Sequence, residues 1–142
     1  MALIMTYCEN PTEADREAVL APLRAYNIAQ AGDPRIRPLV LTLSDASGAT
    51  MGGLWGRISY DWLFVELLSV DPAHRGGGHG VKLMREAEAR ARAEGCVGIW
   101  LDTYDFQARG FYEKLGFEVF GSLDGDQETP ARFFLKKRLA AT

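Results

Sequence analysis

The sequence predicts one mixed α/β domain over residues 1–142, with a mostly antiparallel central sheet and helices on both faces. Three observations carry that prediction. An apolar strand, a glycine-rich loop and a strongly helical segment follow one another around Glu66–Val81, and a further strand-like run comes after them. A strand–helix–strand unit of this kind closes by a crossover that pairs its strands in parallel. The remaining strand-like runs are joined by short turns, which require antiparallel neighbours. Finally, 142 residues at 47% hydrophobic content make one domain, large enough to bury about two-thirds of its unfolded surface without staples.

The elements follow in order. Residues 3–8 read as a short first strand. Thr12 can cap a helix, with Asp15 three residues on in a variant of the capping box. Val19, Leu20, Leu23 and Tyr26 recur at helical spacing, and Pro22 inside that pattern predicts a kink or a break. Gly32-Asp33-Pro34 ends the helical region. Residues 37–44 read as a strand and Asp45–Gly48 as a turn. A hairpin follows, over 50–60 and 62–70, turning near Tyr60-Asp61. Gly52-Gly53 in its first strand marks a bulge or a close backbone approach. Residues 79–94 are the clearest helix. Val81, Met84, Ala87 and Ala91 share one face, and Glu86–Arg90 and Glu88–Arg92 pair at i, i+4 on the other. A strand over 96–102, a short helix over 106–115, and strands over 117–123 and 131–138 complete the chain.

The loop carries the functional signal. Arg75 and the glycines Gly76, Gly77, Gly78 and Gly80 stand at the mouth of a helix. Glycines let a ligand approach the backbone closely, and the free N–H groups of a helix N-terminus attract an anion. This is the composition of a phosphate cradle. The P-loop pattern fails, because Val81 follows Gly80 and Leu83 follows Lys82. The dinucleotide fingerprint fails at Leu83, and too little chain remains after the loop for the rest of a doubly wound domain. A third pattern, Arg/Gln-x-x-Gly-x-Gly/Ala, is met by Arg75, Gly78 and Gly80.

The segment Val70-Asp71-Pro72 with Arg75, Gly76, Gly78 and Gly80 resembles the CoA-pyrophosphate loop of the GNAT superfamily of acyl-CoA-dependent N-acetyltransferases. Phe111-Tyr112-Glu113-Lys114-Leu115-Gly116-Phe117 is similar to that family's C-terminal helix and following strand. The two motifs stand in the family's order, with a helix and a strand between them. The resemblance implies acetyl-CoA as cosubstrate, held by Arg75, Gly76, Gly77, Gly78, His79, Gly80 and Val81. It also implies that the backbone of Leu68, Ser69 and Val70 meets the pantetheine arm, with one amide polarising the thioester carbonyl.

Two side chains are candidates for proton transfer. Glu66 is the one carboxylate in an apolar strand, on the face of Phe64 and Leu68; burial there would raise its pKa toward that of a general base. A partly exposed acid or a structural ion pair is the alternative. Tyr112 occupies the slot of the family's general-acid tyrosine, and a neutral phenol can protonate a departing thiolate. Its alternative is a helix aromatic turned into the core. Asp105 departs from the family, which often has Asn there. An acid would repel phosphate, so a cap on the helix near Gln107 is expected instead.

The rest of the composition narrows the class. The net charge of −3 and pI of about 5.4 give no basic face for nucleic acid. No run approaches the ~20 apolar residues of a membrane span, and the N-terminus lacks a signal-peptide pattern. Cys8 and Cys96 are too few for a disulfide framework, which suits the cytoplasm. The histidines, His74 and His79, join no Cys/His cluster, so no metal is expected. Asp124–Glu128 imitates the start of a calcium loop, but Thr129 stands where that loop needs Gly, and Leu135 where it needs a bidentate Glu. The reading is an acetyl-CoA-dependent N-acetyltransferase acting on an amine in a ternary complex, and a homodimer is compatible with it. The rival is a CoA-binding regulatory or sensor module that keeps the cradle without transfer.

Overall fold

The computed structural model describes residues 1–140 and separates into two compact units, Met1–Pro34 and the chain from Arg35 onward. In the first unit, residues 1–8 have no regular structure, against the strand expected over 3–8. A strand needs a neighbour for its N–H and C=O groups, and no described residue pairs in a strand with this segment. Leu3, Ile4, Met5 and Tyr7 are therefore exposed. Helix α1 (Glu13–Ala31) follows. Its capping box forms as read: the Thr12 hydroxyl accepts from the Asp15 N–H at 3.2 Å, and the Asp15 carboxylate accepts from the Thr12 N–H at 2.9 Å. Pro22 does not break the helix. Its missing N–H leaves one carbonyl a turn earlier without a partner, and on an exposed helix water can supply one. No residue of α1 is buried. Gly32, at φ 79°, ends it with its N–H on the Ile28 carbonyl.

Among its described residues, the second unit is a six-stranded sheet with two α-helices. Strands β1 (Arg37–Ser44), β2 (Thr50–Ser59) and β3 (Trp62–Val70) precede helix α2 (His79–Ala93), and β4 (Gly98–Tyr104) follows it. Helix α3 (Arg109–Lys114) and strands β5 (Glu118–Leu123) and β6 (Arg132–Arg138) complete the unit. The sheet order is β1-β2-β3-β4-β6-β5. Only β3 and β4, joined through α2, run parallel; the other neighbours are antiparallel. Tyr60 and Asp61, both at positive φ, make the tight turn between β2 and β3, where the primed turns that match strand twist need left-handed residues.

The core lies between the sheet and α2. Leu83, Met84, Ala87 and Ala91 of the helix meet Leu54, Ile58, Leu63, Val65, Ile99, Leu101 and Leu135 of the strands. Fully burying a Leu or Ile side chain contributes roughly 1.5–3 kcal/mol, and six such side chains are under 2% exposed. Leu83 joins the face read from periodicity, while Val81 is only half-buried. Both i, i+4 ion pairs of α2 form, at 2.9 and 3.4 Å. The opposite face of the sheet is aromatic. Phe64 and Trp100 stack there at 4.1 Å between centroids, with the Arg57 guanidinium over Phe64.

Candidate active site

The site begins where two parallel strands part. Pairing between β3 and β4 runs from Trp62–Gly98 to Val65–Leu101 and stops. Beyond it, Glu66–Val70 of β3 has a neighbour only on the β2 side. Its other edge is open, which frees backbone groups for a ligand to add to the sheet as a strand does.

A bulge sits at the parting point. Leu67 pairs with Trp55 and Val65 with Gly56, so Glu66 is an extra residue with no partner on β2. The bulge breaks the period-2 alternation. Leu68 returns to the face of Val65, and Glu66 and Leu67 are both exposed. This corrects the reading of Glu66: it is not buried among apolar neighbours and does not share a face with Leu68. An uninterrupted strand would have had both properties, and the inserted residue removes them. Gly52 and Gly53 mark a close approach, and next to Gly52 a second bulge leaves Met51 extra between the Leu43–Gly52 and Ser44–Thr50 pairs. A Cβ at Gly52 would overlap the Ser69 carbonyl, and one at Gly53 the Leu41 carbonyl.

The loop after β3 is built locally. The Asp71 carboxylate accepts from the Ala73 N–H at 2.9 Å and starts a short turn of 3-10 helix over Pro72–His74. Arg75 folds back, its Nε–H donating to the Val70 carbonyl at 3.0 Å. Gly76 and Gly78 take φ of 84° and 79°, which only glycine adopts freely. No atom lies within 4 Å of where a Cβ would stand on either, so the space in front of the loop is open. Gly78 is the N-cap of α2, and no side chain caps that helix. The first-turn N–H groups, normally orphaned at any helix start, are thus left for a ligand. Such an opening fits a phosphate group of CoA.

A groove of about 300 Å³ is lined by Val70, His74, Arg75, Gly76, Gly78, His79, Gly80, Val81 and Phe111. Most of the loop residues read from the sequence meet there. Gly77 does not line it; a Cβ at Gly77 would press on the His79 ring. Phe111 is the residue that sequence reading missed. Its ring lies over Gly80, 3.2 Å from where a Cβ would stand, so glycine at 80 lets α3 dock on the start of α2. The quoted Phe-Tyr motif held the signal, but its aromatic was not assigned a partner.

That docking positions Tyr112, whose ring meets Phe111 edge-on at 5.1 Å and Phe117 at 6.1 Å. Burial first, and then the negative charge of Asp102, push the Tyr112 phenol above its usual range. It is therefore neutral at pH 7 and able to donate a proton.

Asp105 does not cap α3. Its carboxylate accepts from the Ala131 N–H at 3.0 Å and latches the end of β4 to the start of β6. Gln107 occupies the local turn instead, its side-chain oxygen accepting from the Thr103 hydroxyl and the Tyr104 N–H. Asp126 likewise accepts from the Glu128 and Thr129 N–H groups, as an ordinary Asp turn does. No group of metal-ligating side chains occurs among the described residues, and none of their helices is long and apolar enough to cross a membrane.

A glycine loop on an uncapped helix, next to a sheet that opens at a bulge, is an arrangement that suits an acyl-CoA-dependent acyltransferase. The acetyltransferase (GNAT) family model matches residues 4–117, and the chain belongs to that family. Acetyl-CoA is the acetyl donor of GNAT acetyltransferases. The chain is 40% identical over 128 residues to acetyltransferase Atu2258 of Agrobacterium fabrum, covering 88% of this chain and 93% of that protein. It is 41% identical over 113 residues to blasticidin-S acetyltransferase of Streptomyces morookaense, covering 77% and 79%. A crystal structure from Agrobacterium tumefaciens superposes with a TM-score of 0.87 at 36% identity, covering 98% of this chain and all of that one.

Proposed function

We propose that this protein is an acetyl-CoA-dependent N-acetyltransferase that acetylates a primary amine by direct attack in a ternary complex, with residues 1–142 acting as one transferase domain. The observation that carries the reading is the parting of β3 from β4 at a bulged carboxylate, beside the open glycine loop. Acetyl-CoA, when bound, supplies an activated thioester acetyl group.

The chain's own residues divide the work. Backbone N–H groups of Gly76–Val81 and the Arg75 side chain hold the pyrophosphate. The free edge at Leu68, Ser69 and Val70 aligns the pantetheine arm, and one of its amides faces the carbonyl oxygen as charge develops there. Glu66, exposed on the rim of the opening, takes the proton of the acceptor's ammonium, directly or through water, so that the nitrogen lone pair is free. As the C–N bond forms and the C–S bond breaks, Tyr112 gives its proton to the departing sulfur, and the resulting phenolate takes up the second proton of the acetylated nitrogen, leaving a neutral amide and a free thiol. The two cysteines are free, with Cys8 exposed, which suits the reducing cytoplasm.

The test is release of free thiol from acetyl-CoA across a panel of amines that includes blasticidin S. We expect amine-dependent release by the parent protein. Tyr112→Phe is expected to lower kcat by about 10²–10⁴-fold with acetyl-CoA affinity little changed, since the proton matters mainly in the transition state. Binding of acetyl-CoA with no release for any amine would favour a CoA-binding module instead.

A further inference from the structure

We infer that Lys137 is a positioning residue for the Tyr112 phenol: with Glu88 it forms a strut that fixes the C-terminal end of α3, the helix that carries Tyr112. The inference rests on the transferase reading above and adds to it what holds the proton donor in place.

The need for a strut follows from α3 itself. The helix has six residues, no side-chain cap at its N-terminus and no buried residue. A helix this short does not hold its shape alone. Among the described residues, no hydrogen bond holds the Tyr112 hydroxyl. The charge of Asp102 reaches the phenol, but that carboxylate is gripped by Arg132 at 2.9 Å. The hydroxyl is thus left for a substrate atom, and its place is set by the neighbouring rings and by the helix that carries it.

Two contacts tie α3 to its neighbours. At its start, Phe111 lies over Gly80 of α2. At its end, the Lys137 ammonium of β6 donates to the Leu115 carbonyl at 2.9 Å. That carbonyl is one of those a helix end leaves without an intrahelical partner. The same ammonium pairs with Glu88 of α2 at 2.6 Å. The Tyr112 carbonyl accepts from the Leu115 and Phe117 N–H groups at 3.0 and 3.1 Å, so the turn that Lys137 grips is built on Tyr112. Gly116 completes that turn at a φ of 95°, and a Cβ there would stand 3.3 Å from the Lys137 stem. Glycine thus leaves room for the strut. Apolar packing does not close this end. A cavity of about 280 Å³ lies there, with Met84, Glu88, Leu115, Phe117 and Lys137 in its wall. The strut is only about a quarter exposed, 26% at Lys137 and 25% at Glu88, so its charge-assisted bonds are stronger than those of a fully solvated pair.

Two readouts on the full chain test the inference. The first needs no acceptor. The chain has five tyrosines, and ring-¹³C labelling at pH 7 resolves Tyr112 as the signal lost in Tyr112→Phe. Lys137→Met keeps the stem and removes the ammonium; it should shift the Tyr112 signal and leave the other four in place. The second readout is kinetic, with the amine that gives the fastest thiol release in the panel above. Lys137→Met should lower kcat about 10–100-fold, the cost of a small misplacement of a reacting group, with KM for acetyl-CoA little changed. In a Tyr112→Phe background the same substitution should cost nothing further, because the group it positions is gone. A lysine that only stabilises the fold would cost the same in both backgrounds. Glu88→Gln is the gentler variant: it leaves the Leu115 bond, loosens only the ammonium, and should show both changes at smaller size. An unmoved Tyr112 signal, a parent-like kcat in Lys137→Met, or an equal loss in the two backgrounds overturns the inference. The acid role of Tyr112 fails separately, if Tyr112→Phe alone leaves kcat at the parent value.

Discussion

The loop Asp71–Gly80 and the strand edge Glu66–Val70 adjoin at Val70 and serve one cosubstrate in our reading, but they are built in different ways. The loop is made by neighbours. Asp71 caps its own turn, Arg75 reaches back five residues, and glycines take up the positive φ. The strand edge is made by distant partners. It exists because β2 pairs with a bulged β3 and because β4 leaves β3 after Leu101. A feature made by local chemistry is lost by local changes and leaves the rest of the fold standing. A feature made by pairing fails only when the sheet around it shifts.

The largest effect that would sharpen this contrast lies at the strand edge. In Gly52→Ala the new methyl overlaps the Ser69 carbonyl, at a φ of 144° that alanine rarely adopts. Backbone strain and overpacking of this kind cost about 3 kcal/mol together. Denaturant unfolding should show that loss, and acetyl-CoA affinity should fall with it as Ser69 and Val70 are displaced. Full stability in this variant would break the comparison.

The matching change in the loop is Gly78→Glu. The space there is empty, so the fold bears only the left-handed strain, about 1–2 kcal/mol. A carboxylate in front of the helix N-terminus repels pyrophosphate and blocks the N–H groups. We expect acetyl-CoA affinity to drop by about 10-fold or more, from the loss of at least one charge-assisted contact, with the circular dichroism spectrum retained. Unchanged affinity would show that the pyrophosphate lies elsewhere.

The smallest effect concerns the anchor of the helix that the loop feeds. Glu88 of α2 is ion-paired with Lys137 of β6 at 2.6 Å and with Arg92 at 3.4 Å. Partial burial works to raise its pKa, but the attraction of Lys137 and Arg92 outweighs it and holds the carboxyl below the usual range. A folded-state pKa below the unfolded one stabilises above the unfolded value of 4.5 and is lost as pH falls through the lower folded value. The pair should contribute about 0.2–1 kcal/mol. Glu88→Gln should therefore lower the melting temperature slightly at pH 7 and not at all at pH 2. A larger deficit at pH 2 would contradict the sign.

Much of this was legible in the chain. The capping box at Thr12, the strand over 37–44, the hairpin turning at Tyr60-Asp61 and the glycine loop all stand where local chemistry put them. The places that were not legible share a cause. The segment 3–8 has a strand's composition and no partner. Asp105 has a cap's side chain, but the Ala131 N–H arrives 26 residues later to claim it. Glu66 stands in an apolar run, and only the register with Trp55 and Gly56 reveals that it is extra. Asp102 carried no signal by itself, and Phe111 stood in a legible motif without its partner, because each gains its meaning from a neighbour on another element.

By itself, then, the sequence determined the order of elements from Thr12 onward, the anion-ready loop and, through two motifs, the family. Caps, turns and glycine conformations depend on residues a few positions apart, and side-chain periodicity follows from backbone geometry alone. Tertiary structure alone decided that β3 and β4 part after four pairs, that Glu66 turns outward at a bulge, that Phe111 lands on Gly80, and that Arg132 grips Asp102. Each of these depends on which residue of one strand or helix comes to lie against which residue of another. That choice is set by the packing of the whole sheet, and no short window of the chain contains it.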